Sequence, residues 1–160
     1  RARPGEGRGL DHRRATGDPD FADARRRAEA AVSRDDHPIL DPEVLAGLEQ
    51  LGIEADNPTF LPQLVELFGK NAPVRMEKIA GAIGERDGAQ LESVAHTLKS
   101  NCAMLGATRM AGYCRDLEAM GERQAFDEAA ALLPDAREEF ARVARAVHTL
   151  GQSLTPGRPE

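Results

Sequence analysis

The sequence predicts an all-α protein, folded as an antiparallel up-down-up-down four-helix bundle with a short leading helix. Three observations lead to this fold class. Alanine, leucine, glutamate and arginine are prominent among the 160 residues, and all four favour helix. Between residues 39 and 150, apolar side chains recur every three or four positions, which is the period of an amphipathic helix. The connections between these stretches are short, and short connections make successive helices antiparallel neighbours.

Capping residues and glycines set the predicted helix ends. Asp41 caps a short helix that Gly52 ends, and Asp87 opens a helix with capping-box spacing that Gly106 ends. Thr108 is expected to cap the next helix. The predicted helices span about residues 42–52, 59–86, 88–106, 108–121 and 127–150.

Breaks in the helical pattern define the remaining organisation. Residues 1–36 combine arginine, glycine, aspartate and proline with few large apolar side chains, which predicts a flexible tether. The bundle is expected over residues 39–150, followed by a disordered tail at 151–160. Inside the bundle, Pro73 is expected to bend its helix, and Pro134 to kink or restart the last one.

Composition argues against several classes of protein. The net charge is −6, and residues 37–160 carry 12 basic and 19 acidic side chains without a basic stripe. This acidic balance argues against nucleic acid as a partner. No apolar run reaches the length of a membrane span, and the first residues lack the apolar core of a secretory signal. Cys102 and Cys114 form neither a CxxC pair nor a four-ligand zinc set. Both are expected to be reduced and structural in a cytoplasmic protein.

His96 lies on the side of its predicted helix that faces away from the core. The apolar stripe of that helix consists of Leu91, Val94, Ala95, Leu98, Cys102 and Leu105. His96 points roughly 160° away from the centre of this stripe. Its neighbours one and two turns away are mostly small or polar: Ala89, Glu92, Ser93, Lys99, Ser100 and Ala103. An exposed imidazole with low surroundings and one ammonium nearby can be reached by another protein and can hold an anion.

The segment His96-Thr97-Leu98-Lys99-Ser100-Asn101-Cys102-Ala103-Met104-Leu105-Gly106 resembles the signature of the histidine-containing phosphotransfer (HPt) domain of two-component phosphorelays. Tyr113-Cys114-Arg115-Asp116-Leu117-Glu118 is similar to the family's following helix, which often carries Cys-x-x-Leu-Glu. The resemblance extends over about residues 39–150. Ser100 departs from the pattern, because glycine is usual there and lets a partner approach the helix closely.

The resemblance implies a phosphoryl carrier rather than an enzyme, with His96 as the phosphoacceptor between receiver-domain aspartates. Lys99 and Ser100 would support the phosphate, and the expected docking face consists of Ala89, Glu92, Ser93 and Ala103. The implied partners are response-regulator receiver domains, which would supply Mg²⁺, and a hybrid histidine kinase. The chain itself is expected to be a monomer that needs no cofactor or metal. The sequence does not show which group orients the ring of His96. The atom that is expected to carry the phosphoryl group is Nε2.

Two alternative functions compete with this one. The departure at Ser100 is compatible with a docking or adaptor bundle that works without phosphorylation. The intact His96 argues against this alternative. A carboxylate-bridged metal bundle needs two inward Glu-x-x-His pairs, whereas Glu92 precedes His96 by four residues and faces outward. The chain also lacks a nucleotide-binding motif, so it is either a free-standing transmitter or one domain of a larger hybrid kinase.

Overall fold

Five helices make up the part of the chain that the structure describes. The computed structural model describes residues 38–155, and all regular elements in this range are α-helices. They are α1 (Pro42–Glu54), α2 (Phe60–Glu85), α3 (Gly88–Met104), α4 (Thr108–Glu122) and α5 (Phe126–Leu154). The prediction of an all-α fold is therefore confirmed. The predicted tether at 1–36 and residues 156–160 of the predicted tail lie outside the described residues.

Two helices are longer than the sequence pattern predicts. α1 continues past Gly52, which is buried inside the helix, where an added Cβ would lie 3.2 Å from the Cβ of Phe60. Gly52 therefore allows α1 to pack closely against Phe60, and it does not end the helix. α5 continues past Leu150, so residues 151–154, expected in the disordered tail, form its last turn.

The predicted caps of α1 and α3 are confirmed, but the one proposed for α4 is wrong. Asp41 accepts a hydrogen bond from the backbone N–H two residues later at 2.9 Å, and Asp87 from the N–H three residues later at 3.1 Å. Thr108 is instead the first residue of α4, and its hydroxyl donates to the carbonyl of Gly106 at 3.3 Å.

The two prolines that were expected to disturb their helices lie inside uninterrupted helices. Pro73 is in α2 and Pro134 is in α5, so α5 does not restart at Pro134. Both side chains are exposed, which keeps the ring and the missing N–H donor on the solvent side of the helix.

The four long helices share one apolar core. α3 and α4 make the most extensive contact, α2 packs against both α3 and α5, α4 packs against α5, and α1 packs on α2. The largest fully buried side chains are Ile79, Leu91, Leu98, Leu105, Met110, Leu117 and Val143. Leu51, near the end of α1, is an apolar residue outside this core, because its side chain is 54% exposed.

Gly106 joins the turn after α3 to the start of α1. Its φ of +74° is one that side chains rarely adopt, and an added Cβ would lie 2.7 Å from the backbone nitrogen of Asp41. The Asp41 N–H donates to the Gly106 carbonyl at 3.0 Å. The leading helix is therefore anchored at the end of the helix that carries His96.

A close backbone approach fixes how α3 and α4 pass each other. A Cβ on Gly121 would lie 2.7 Å from the backbone nitrogen of Glu92 and 2.9 Å from the carbonyl oxygen of Gly88. Glu92 is one turn before His96, and Gly121 is about one turn after Glu118. The contact between these two backbones therefore brings Glu118 level with His96.

Candidate functional site

The predicted site residues share one face of α3. The side chain of His96 is 61% exposed. The exposed residues around it on the same helix are Ala89, Glu92, Ser93, Ser100 and Ala103. Lys99 differs from these, because its side chain is only 30% exposed and turns toward α4. The structure thus assembles the expected small and polar surface, with Lys99 at its edge.

Glu118 of α4 holds the ring of His96. Its Oε1 lies 2.6 Å from Nδ1 of His96, and its side chain is only 22% exposed. An ionised carboxylate can only accept a hydrogen bond, so Nδ1 carries the proton and donates it. In the neutral ring this tautomer leaves the lone pair on Nε2, the nitrogen farther from the backbone. Glu118 is therefore the group that sets the orientation and the tautomer of His96.

Lys99 binds the other oxygen of the same carboxylate. Its Nζ donates to Oε2 of Glu118, so both oxygens of Glu118 are engaged. The hydrogen bond from Lys99 lowers the pKa of Glu118, the bond and charge of His96 act in the same direction, and partial burial opposes them. The carboxylate consequently remains ionised over the physiological range. Lys99, which is expected to support the phosphate, also holds Glu118 in place.

The hydroxyl of Ser100 is engaged within its own helix. Its Oγ donates to the backbone carbonyl of His96, one turn earlier, at 3.2 Å. The side chain thus folds against α3 instead of projecting beside the ring. Ser100 therefore keeps the surface around His96 low, which is the property that glycine would provide.

Two buried thiols lie between α3 and α4 behind this site. Cys102 and Cys114 are both free and fully buried, as expected for structural cysteines. A hydrogen bond between the two thiols and burial raise the pKa of Cys114 far above its usual range. The thiolate is the reactive form of cysteine. These side chains accordingly fill the core and add no nucleophile to the site.

Sequence reasoning assigned Glu118 no function. Cys114 and Leu117 mark the buried stripe of α4, and Glu118 directly follows that stripe. A carboxylate at the edge of a stripe that faces α3 is a candidate to bind a side chain of α3. The register that pairs it with His96 depends on the close approach at Gly121, which the sequence pattern does not reveal.

The described residues show neither a metal cluster nor a membrane-spanning helix. Within residues 38–155, no three or more His, Cys, Asp or Glu side chains are grouped so that they could hold a metal ion. Each helix in that range is too short or too polar to cross a bilayer.

Comparison with known proteins identifies the family. Residues 63–140, which include His96, Lys99 and Glu118, match the sequence model of the Hpt domain. This segment is an Hpt domain. The fold agrees with a crystal structure of histidine-containing phosphotransfer protein B from Pseudomonas aeruginosa PAO1, at 29% identity and a TM-score of 0.65, covering 74% of this chain and 98% of that one. No curated protein matches the chain.

A second solved structure shares the fold of this Hpt domain at lower identity. It is a putative histidine-containing phosphotransfer protein from rice, with 19% identity and a TM-score of 0.60, covering 87% of this chain and all of that one. The family match over residues 63–140 supports a histidine phosphotransfer function in two-component signalling. Hpt domains carry phosphoryl groups in phosphorelays and interact with response-regulator receiver domains.

Proposed function

We propose that the chain relays a phosphoryl group between receiver-domain aspartates through Nε2 of His96. The observation that carries this proposal is the 2.6 Å contact between Glu118 and Nδ1 of an otherwise exposed ring. It assigns the proton to Nδ1 and leaves the reactive lone pair on the nitrogen that a partner can reach. The small side chains around the ring allow a second protein to bring its aspartyl phosphate close enough for in-line attack.

The transfer step exchanges one bond to phosphorus for another. Nε2 attacks phosphorus, the N–P bond forms, and the bond from phosphorus to the aspartate oxygen breaks, so that the aspartate leaves as a carboxylate. The ring, still protonated at Nδ1, becomes positively charged. Glu118 accepts the hydrogen bond from that ring and stabilises its charge. Attack by the carboxylate of a second receiver on the same phosphorus reverses these changes and frees Nε2.

Lys99 and the receiver supply the remaining positive charge. Lys99 holds Glu118 by Oε2, and its ammonium also offsets the negative charge near the phosphoryl group. The receiver domain contributes the aspartate and a bound Mg²⁺, which neutralises charge on the phosphoryl oxygens. Ala89, Glu92, Ser93 and Ala103 contact the receiver around the ring.

The same proposal includes the arrangement of the whole chain. The four long helices alternate in direction, up-down-up-down, because only a few residues connect each to the next. The chain acts as a monomer in the cytoplasm, where receiver domains and hybrid histidine kinases can reach it. It functions either as a free-standing transmitter or as one domain of such a kinase.

The deciding experiment is phosphoryl transfer from receiver domains charged with acetyl phosphate. The wild type is compared with His96→Gln and with His148→Gln, a control at an exposed histidine on α5. We expect acid-labile, alkali-stable label on the wild type and on His148→Gln and none on His96→Gln, with equal helicity in all three. Label on His96→Gln at the wild-type level would refute the assignment. A folded wild type that no receiver labels would instead favour the adaptor.

A further inference from the structure

Arg115 of α4 carries a positive charge that no carboxylate among residues 38–155 neutralises. It lies three residues before Glu118, and its side chain is exposed. Its guanidinium has neither an ion pair nor a hydrogen bond within that range. Lys99, in contrast, already donates to Glu118. The charge of Arg115 is therefore available to a group that arrives from outside the chain.

Two contacts between α3 and α4 place Arg115 close to His96 along the helix axes. Glu118 meets His96 through its carboxylate, and the thiol of Cys114 meets that of Cys102. A higher residue number on α4 therefore pairs with a lower one on α3. Arg115 lies between these two contacts, about 5 Å along the axis from the level where Glu118 meets His96.

The guanidinium of Arg115 is on the same side of the α3–α4 pair as the ring of His96. Cys114 lies in the buried stripe of α4, and Glu118 is about 40° round the helix from it, whereas Arg115 is about 100° round in the same direction. Because Glu118 turns toward α3, Arg115 opens to solvent on the flank where the ring of His96 is exposed. The axes of packed helices are about 8–10 Å apart, a gap that the long side chain of arginine spans.

A phosphoryl group on Nε2 of His96 needs such a charge once the receiver has left. The group carries about two negative charges near neutral pH, and the receiver takes its Mg²⁺ away with it. The exposed carboxylate of Glu92, one turn before His96, adds to the repulsion. The ammonium of Lys99 is shared with Glu118. A guanidinium binds phosphate through two parallel N–H donors, a geometry that an ammonium lacks.

We propose that Arg115 binds the phosphoryl group of phosphorylated His96 while the chain is between receivers. This contact stabilises the charged carrier and shifts the equilibrium of transfer toward the chain. The inference rests on the proposed function. It adds a separate task at the site: Glu118 fixes the ring that attacks, and Arg115 holds the group that the ring has accepted.

The test measures the equilibrium of transfer with dilute partners. Forward transfer starts from a phosphorylated receiver domain in Mg²⁺. Reverse transfer starts from the chain phosphorylated with phosphoramidate, a small donor that needs no receiver. The ratio of the forward and reverse second-order rate constants is the equilibrium constant between the free partners. The variants are Arg115→Gln and Arg115→Lys, and Arg145→Gln, at an exposed position on α5, is the matched control.

We expect the ratio to fall about fivefold for Arg115→Gln, because the phosphorylated chain loses a contact that the unphosphorylated chain does not make. Arg115→Lys keeps the charge without the two-point geometry, so it should retain part of the wild-type ratio. Arg145→Gln should match the wild type.

Contacts with the receiver alone cannot change this ratio, because they alter the forward and reverse rate constants by the same factor. An unchanged ratio for Arg115→Gln would therefore overturn the inference, whether or not the rate constants fall, and would leave the proposed function intact. Failure of every receiver to exchange phosphate with the wild type would overturn both.

Discussion

At the scale of single residues, one carboxylate connects the two side chains that the sequence singled out. Glu118 accepts from Nδ1 of His96 through one oxygen and from Lys99 through the other. Lys99 therefore acts on His96 indirectly, by holding Glu118 in the position that fixes the ring. A hydrogen bond that involves a charged group contributes about 1.5–3 kcal/mol, whereas an exposed ion pair contributes less.

The first residue-scale prediction concerns the rate of transfer. Glu118→Gln removes the negative charge that stabilises the protonated, phosphorylated ring. We therefore expect the rate constant at saturating receiver to fall about tenfold. This corresponds to the lower end of the free energy of a charged hydrogen bond, because the site is partly open to solvent. Rapid-quench measurement of single-turnover transfer gives this constant. Glu122→Gln, at an exposed position one turn further along α4, is the matched control. Equal rate constants for Glu118→Gln and the wild type would contradict a role for Glu118.

The lowered pKa of Glu118 also predicts how stability depends on pH. The group binds its proton less readily when folded than when unfolded, where the pKa is about 4.3. Its stabilising contribution is therefore complete above the unfolded pKa, and it disappears as the pH falls through the lower, folded value. Urea unfolding of the wild type and of Glu118→Gln should show a stability difference that is present above the unfolded pKa of about 4.3 and shrinks at lower pH. A difference independent of pH down to pH 2 would contradict this linkage.

At the scale of the helices, the site depends on how closely α3 and α4 approach. Gly121 of α4 lies against the backbones of Gly88 and Glu92 of α3. His96 follows Glu92 by one turn, and Glu118 precedes Gly121 by about one turn. A shift of one helix along the other would separate Glu118 from His96, although every residue of both helices stayed helical. The glycine contact is therefore as important to the site as the residues that form it.

This contact leads to a prediction for Gly121→Ala. The added Cβ would meet two backbone atoms at 2.7 and 2.9 Å, and backbone cannot yield as a flexible side chain can. We expect a loss of about 2 kcal/mol in the free energy of unfolding, typical of overpacking. Gly112→Ala is the control, because it is in the same helix with nothing within 4 Å, and it should gain about 0.5–1 kcal/mol from helix propensity. Urea unfolding of both variants checks the contrast, which fails if Gly121→Ala is as stable as the wild type.

Helix-level features were predictable where their cause is local. The caps at Asp41 and Asp87 and the outward position of His96 follow from neighbouring residues in the sequence. Gly52 was misread as a helix end because its reason, contact with Phe60, is tertiary. The pairing of Glu118 with His96 was missed for the same reason. The periodic pattern shows which face of a helix is buried, but it does not show the register between two helices.

At the scale of the whole molecule, the proposed function divides the work: the Hpt domain contributes a positioned nucleophile, and its partner supplies most of the charge neutralisation. The carboxylate that binds the ring belongs to Glu118, and it is already paired with the ammonium of Lys99. A transferring phosphoryl group develops charge on several oxygens, and a divalent cation stabilises it most effectively. The proposed function therefore places the metal requirement of the reaction on the receiver domain.

Removal of Mg²⁺ with EDTA tests whether the receiver domain or this chain binds the metal. With excess EDTA present before a phosphorylated receiver is mixed with the chain, we expect transfer to fall at least tenfold, because the receiver loses its Mg²⁺. EDTA added to the isolated phosphorylated chain should leave the label and the thermal unfolding curve unchanged, since no group of metal-binding side chains occurs within residues 38–155. Readdition of Mg²⁺ after EDTA should restore transfer, which controls for irreversible damage. Loss of label or of stability from the isolated chain would place a metal on this protein instead, and undiminished transfer in EDTA would show that neither partner needs one.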